Sequence, residues 1–136
     1  MQNKTTYLIV RLGIGLSMFG HGLVRLPKLQ AFSNGMVKMF ANSILPEILT
    51  VPFTYAIPIV EFTFGLMIVL GLFTRTAAIV LSALLISLIF GCTLIENWDA
   101  ITSQLVHLAF VAYLVNYIDN NSYAVDNILL QNKKGV

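Results

Sequence analysis

Four long apolar stretches fill most of this chain, and each carries ionisable or strongly polar side chains within it or at its end. The first holds Arg11 and His21, the second Glu61, and the fourth Gln104 and His107; the third runs into Glu96 and Asp99. A charged side chain at mid-membrane costs about 2.5–3.5 kcal/mol on insertion scales, so such groups face a protein interior or a water-filled cavity. The chain therefore reads as a small integral membrane protein whose function sits where those groups meet.

Composition agrees with lipid as the solvent. Of 136 residues, 57% are hydrophobic and 10% charged, against about 25% charged in soluble domains. The length holds four helices of roughly 20 residues, each enough to cross about 30 Å of hydrocarbon. Little remains for a soluble domain. A formal charge of +2 argues against nucleic acid as a partner. The lone Cys92 excludes an intrachain disulfide. Lys4 ahead of an apolar run resembles a signal peptide, but Arg11 interrupts that run and no small-x-small cleavage site follows. An uncleaved first span is expected.

That span runs from about Tyr7 to Leu26 and stops at Pro27, which cannot continue a helix without losing a hydrogen bond. From Lys28 to Thr50 the apolar residues Phe32, Met36, Met39 and Phe40 recur at helical spacing among polar ones. This predicts an amphipathic helix at the interface rather than a fifth span. Pro46 and Pro52 bracket a short connection. Span two covers Pro52 to Phe73, with Pro58 bending it and freeing a backbone carbonyl near Glu61. Span three runs from Thr76 to Ile95, where Ala83, Ser87 and Gly91 form a small-residue stripe suited to close packing. Glu96 to Ser103 reads as a polar turn with Trp98 as an interfacial anchor. Span four runs from Gln104 to Ile118 and is short enough that tilt or an earlier start is expected.

The fold class is thus all-α, a four-span bundle over residues 1–118 followed by a polar tail at 119–136 with a short helix around Ala124 to Leu130. Four spans put both termini on one side, with Lys4, Arg75, Lys133 and Lys134 there and Lys28 and Lys38 opposite. The positive-inside rule then favours cytoplasmic termini.

At about 100° per residue, Arg11, Gly15, Met18, Gly22 and Arg25 share one helix face. The two glycines admit a partner helix or a flat ligand close to the backbone. Glu61 with Gly65 makes a comparable face on span two, and the simplest pairing joins Glu61 to Arg11 or His21. Each group has a plainer reading. Arg11 can snorkel to the near interface. Glu61 can be a structural ion-pair partner, and His107 a helix–helix hydrogen-bond partner. The methionines and Cys92 suit packing. His21 and His107 as axial haem ligands, or joined to Glu61 or Glu96 around a metal, lack any spacing signature. No nucleophile triad, phosphate loop or dinucleotide fingerprint is present.

Arg11-Leu12 followed by Phe19-Gly20-His21-Gly22-Leu23-Val24-Arg25-Leu26 resembles the first-span motif of the DoxX family. Pro58-Ile59-Val60-Glu61, Gly65, and Leu70 through Ala78 resemble its second motif, and the resemblance extends over about residues 7 to 118. Lys often stands in the family where this chain has Arg25, and paired glycines where it has Phe64-Gly65. The family takes its name from a membrane subunit associated with thiosulfate:quinone oxidoreductase, and relatives are described as partners in oxidative-stress and sulfur-handling complexes. Most members have no established activity. The matching positions are Arg11, His21, Gly22, Arg25, Glu61, Gly65, Thr74 and Arg75.

The resemblance implies a bacterial inner-membrane, redox-linked accessory subunit with a membrane or peripheral protein partner. It would bind a quinone or other lipophile between helices and carry no covalent cofactor and no metal. His21 and Glu61 would exchange the proton that accompanies quinone reduction. Arg11, Gly22, Arg25, Gly65 and His107 would hold the ligand, while Arg75 and Trp98 anchor the interface. No flavin motif or cysteine cluster supplies an electron carrier, so a complete oxidoreductase is not expected. The competing readings are a non-catalytic scaffold, with the buried charges locking the bundle, and a small transporter that must oligomerise to enclose a pathway.

Overall fold

Asn3 starts the first helix: its Oδ1 accepts the amide protons of Thr5 and Thr6 at 3.0 and 3.2 Å, so α1 runs Lys4–Arg25 rather than from Tyr7. The computed structural model describes residues 3–134, with side chains through residue 129. The side chains of Lys133 and Lys134, which entered the orientation count, lie outside the described residues.

Pro27 ends α1 as expected, within a 3-10 turn at Leu26–Lys28. Then α2 follows at Leu29–Phe40, too short to cross a bilayer. Phe32, Ser33, Met36, Val37 and Phe40 face inward. Met39 shares that face but keeps half of its surface exposed. Ser33 takes the inner position and bonds Thr54 at 2.6 Å.

Span two corrects the expected boundary. Helix α3 runs Glu47–Leu70, with Pro46 as its cap and both Pro52 and Pro58 inside. Pro52 therefore does not bracket a loop; the connection is only residues 41–46. A capping Pro46 and an acidic Glu47 in the first turn favour the earlier start. The helix stops at Gly71, whose φ of 69° is left-handed.

Helix α4 (Thr74–Leu94) begins two residues early because Asp126, far along the chain, accepts the Phe73 and Thr74 amides at 2.6 and 2.9 Å. The expected small-residue stripe on α4 does not pack: Ala83 and Ser87 face outward and only Gly91 is buried. Ala77 and Ala78 are instead the small residues of α4 that are fully buried.

Helix α5 (Trp98–Asn116) also starts early, overturning the polar turn expected to reach Ser103. Asn97 caps it by accepting from the Ala100 amide, and Asp99 complements the positive end of the helix dipole. A 3-10 turn (Ile118–Asn120) and α6 (Val125–Lys134) complete the chain.

Helices α1, α3, α4 and α5 are each long and apolar enough to cross a membrane, and no strand occurs among the described residues. Tyr7, Ile14, Met18, Ile68, Leu81, Val111 and Leu114 form the core. The closest pairing is α1 against α3, made by glycines. A Cβ on Gly22 would strike the Phe62 backbone, and one on Gly65 the Phe19 backbone. Without a hydrophobic drive between helices in lipid, such backbone approach is what holds spans together.

Candidate ligand-binding cavity

The glycine contacts fix an antiparallel register in which Gly22 meets Phe62, Gly65 meets Phe19 and Gly15 meets Val69. Arg25 lies about one turn beyond Gly22, and from there its long side chain reaches back to Glu61, the neighbour of Phe62. Arg25 Nη1 donates to Glu61 Oε1 and Oε2 at 2.7 and 2.6 Å. The expected pairing of Glu61 with Arg11 or His21 is therefore wrong. Arg11 lies fourteen residues before Arg25, or about 21 Å at 1.5 Å per residue, at the other end of α1. The Arg25 guanidinium also sits over the Phe32 ring of α2, 4.9 Å from its centroid.

This ion pair borders a cavity of about 610 Å³ enclosed by α1 to α5 at the end away from the termini. Most of its lining is apolar: Met18, Phe32, Met36, Phe53, Ile57 and Leu88 among others. Phe40 closes part of it, its ring lying where a Cβ on Gly91 would touch at 3.2 Å. The charged and imidazole side chains of the lining are His21, Arg25, Glu61 and His107, and Gln104 and Cys92 are also on the wall.

Antiparallel packing of α1 and α5 brings the two histidines together, ring centroids 5.8 Å apart. His107 is fully engaged. Its Nδ1 bonds the Ser103 carbonyl at 2.7 Å, so that nitrogen carries the proton, and its Nε2 bonds Ser17 Oγ at 2.8 Å. In this tautomer the Nε2 lone pair of His107 accepts from the Ser17 hydroxyl. Among the described residues no group of three metal-binding side chains forms. His21, half-buried, makes no side-chain hydrogen bond to the described residues and borders the open space.

Other expected site residues lie elsewhere. Gly22 and Gly65 are consumed by the α1–α3 crossing, leaving no room between them for a ligand. Arg75 is exposed at the α3–α4 turn, and Trp98 is 61% exposed at the start of α5. Arg11 is 3% exposed, which rules out snorkelling. It donates to Asn121 Oδ1 at 2.7 Å; Asn121 donates to Thr74 Oγ1, which donates to Asp126 at 2.9 Å. Asn121 and Asp126 belong to a tail that reads as merely polar. Nothing in their sequence neighbourhood announces burial.

The DoxX family profile matches residues 6–94. The chain belongs to the DoxX family. No curated protein and no solved structure matches it. The DoxX match spans α1 to α4 and includes Arg11, His21, Arg25 and Glu61; it stops before α5, short of the expected limit near residue 118. Four apolar helices in a DoxX chain make this an integral membrane protein in contact with the bilayer.

Proposed function

We propose that this DoxX protein is a membrane-embedded accessory subunit of a redox complex and that its cavity takes a quinone. One observation carries the reading: an apolar space of about 610 Å³ that converges on the Arg25–Glu61 pair and on an unpartnered His21. That volume lies inside the range of roughly 300–1,000 Å³ typical of small-molecule pockets, which are apolar with a few convergent polar groups.

In this reading Arg25 donates to a quinone oxygen and steadies the charge that builds there. His21 passes a proton to the reduced oxygen and is reprotonated from water at the open side of the cavity, the source of both protons, while Glu61, as a carboxylate, holds Arg25 in place. Reduction to the quinol consumes two electrons and two protons. The electrons come from a partner dehydrogenase, since the chain's own residues suggest no carrier. The protein sits in a bacterial inner membrane with cytoplasmic termini, so the cavity opens toward the far side. A scaffold is the second reading, favoured by the mutual satisfaction of Arg25 and Glu61, which a purely structural lock also requires.

Trp98, the single tryptophan, adjoins cavity-lining Asn97 and Ala100 in the chain and serves as a probe. In lipid nanodiscs, decylubiquinone should quench it saturably, and replacing both Arg25 and Glu61 by Met, which removes the whole pair, should abolish saturation while the fold persists. Quenching that only rises linearly, as for partition into lipid, rejects the quinone site and favours the scaffold.

A further inference from the structure

We propose that the ligand enters the cavity from the bilayer, through an opening between α3 and α4, and that its hydrocarbon tail stays lodged there against Phe53 and Phe90. The inference rests on the cavity's being a quinone site and assigns the residues that read the tail. The seam between α3 and α4 is closed at one end and open at the other. Val60, Phe64 and Met67, on the part of α3 nearer the Gly71 turn, are half-buried and pack on the core. Phe53 lies on the same edge of the helix, seven, eleven and fourteen residues before them. Yet it is 36% exposed and lines the cavity. On α4, Cys92 takes the bond from Gln104 and so marks the face toward α5. Phe90 stands about 160° round the helix from Cys92, at 100° per residue. It is 59% exposed and is also on the cavity wall. Gly91, beside it, shows that the two helices have parted at this height. The only atoms of another helix that a Cβ there would meet within 4 Å belong to the Phe40 ring of α2, and α3 offers none.

Phe53 lies eighteen residues before Gly71 and Phe90 seventeen after Phe73. The antiparallel pair therefore holds the two rings level, about 26 Å from the turn at 1.5 Å per residue. A hydrocarbon layer of about 30 Å contains that height. An opening there meets acyl chains rather than water, and its rim is apolar, with exposed Leu49 beside the two rings. Only a molecule already dissolved in lipid can use it. From Phe53 to Glu61 the wall runs eight residues along α3, about 12 Å. A quinone head at the Arg25–Glu61 pair then trails its tail along that wall and out between the rings. Contact with Phe53 and Phe90 adds to what the tail gains from lipid, so the site selects a tailed quinone over a bare ring.

The test compares decylubiquinone with its tailless analogue, dimethoxy-methylbenzoquinone, on the full chain in nanodiscs by saturable Trp98 quenching. Dissociation constants are expressed as concentrations in the lipid phase, which removes the effect of partition. The unsubstituted chain should bind decylubiquinone more tightly, on the order of tenfold. Phe53→Ala combined with Phe90→Ala should erase most of that advantage and leave the constant for the tailless quinone unchanged. Phe90→Ala alone should erase part of it and serves should the double variant not fold. Equal constants for the two quinones on the unsubstituted chain, as when a bilayer acyl chain already fills the seam, overturn the inference alone. So does an advantage that survives the substitutions, or a loss that is the same for both quinones. An unsubstituted chain that binds neither quinone overturns the quinone reading and this inference together.

Discussion

At the end of the bundle that holds both termini, Arg11 is 3% exposed and reaches its nearest carboxylate only through Asn121 and Thr74. At the opposite end, Arg25 meets Glu61 directly and its side chain is 27% exposed, bordering open space. Both arginines stand on the same face of one helix, yet one is sealed and the other left reachable. The difference comes from what covers them. The tail folds back over Arg11, and the Asp126 amide bonds the Gly71 carbonyl at 2.9 Å. Over Arg25 lies only α2, whose Phe32 and Phe40 wall the cavity without filling it. The sealed end holds Arg11 through Nη1 but leaves its Nε buried without an acceptor among the described residues, whereas the open end leaves Arg25 reachable for binding.

The largest effect separating the two ends should come from Glu61→Ala. Removing one member of a buried ion pair typically costs about 3–5 kcal/mol, and the melting temperature in detergent should fall accordingly. Replacing both Arg25 and Glu61 by Met should restore most of that stability, since apolar substitutes for a whole pair are often neutral or better. Quinone binding should not return. Recovery of binding with the double variant would show that the pair is structural only.

A smaller effect is expected from Asp126→Ala at the sealed end. It strips an acceptor from the Phe73 and Thr74 amides and the Thr74 hydroxyl, for a loss of roughly 2 kcal/mol. Amide exchange should quicken at Phe73 and Thr74, with ligand affinity at the far end unchanged. A matching loss of affinity would mean that the two ends are coupled. The smallest effect belongs to Arg75→Gln, exposed beside the same turn: a change within about 0.5 kcal/mol, read by the same melt.

Four spans and both glycine faces were legible because lipid demands long apolar runs and close backbone approach, and both leave marks in a single sequence. The cavity was half legible. Arg25, His21, Glu61 and His107 stood out as polar groups in apolar surroundings, but their pairing depends on the register between α1 and α3, which Gly22 and Gly65 set only once they meet Phe62 and Phe19. The Pro52 boundary failed because Pro46 is the real cap, and a second proline six residues on is tolerated inside α3. Asn121 and Asp126 were invisible for a different reason. Their partners lie on α1 and at the α3–α4 turn, and a polar tail looks alike whether it is solvated or docked.

The docking of Asp126 also bears on the order in which the protein can be completed in the cell. The first turn of α4 receives its cap from a residue 52 positions later. During synthesis α4 must therefore enter the membrane with those amides still open, and they close only after the last span has followed. Until the tail docks, Arg11 and the start of α4 both lack the partners that Asn121 and Asp126 supply.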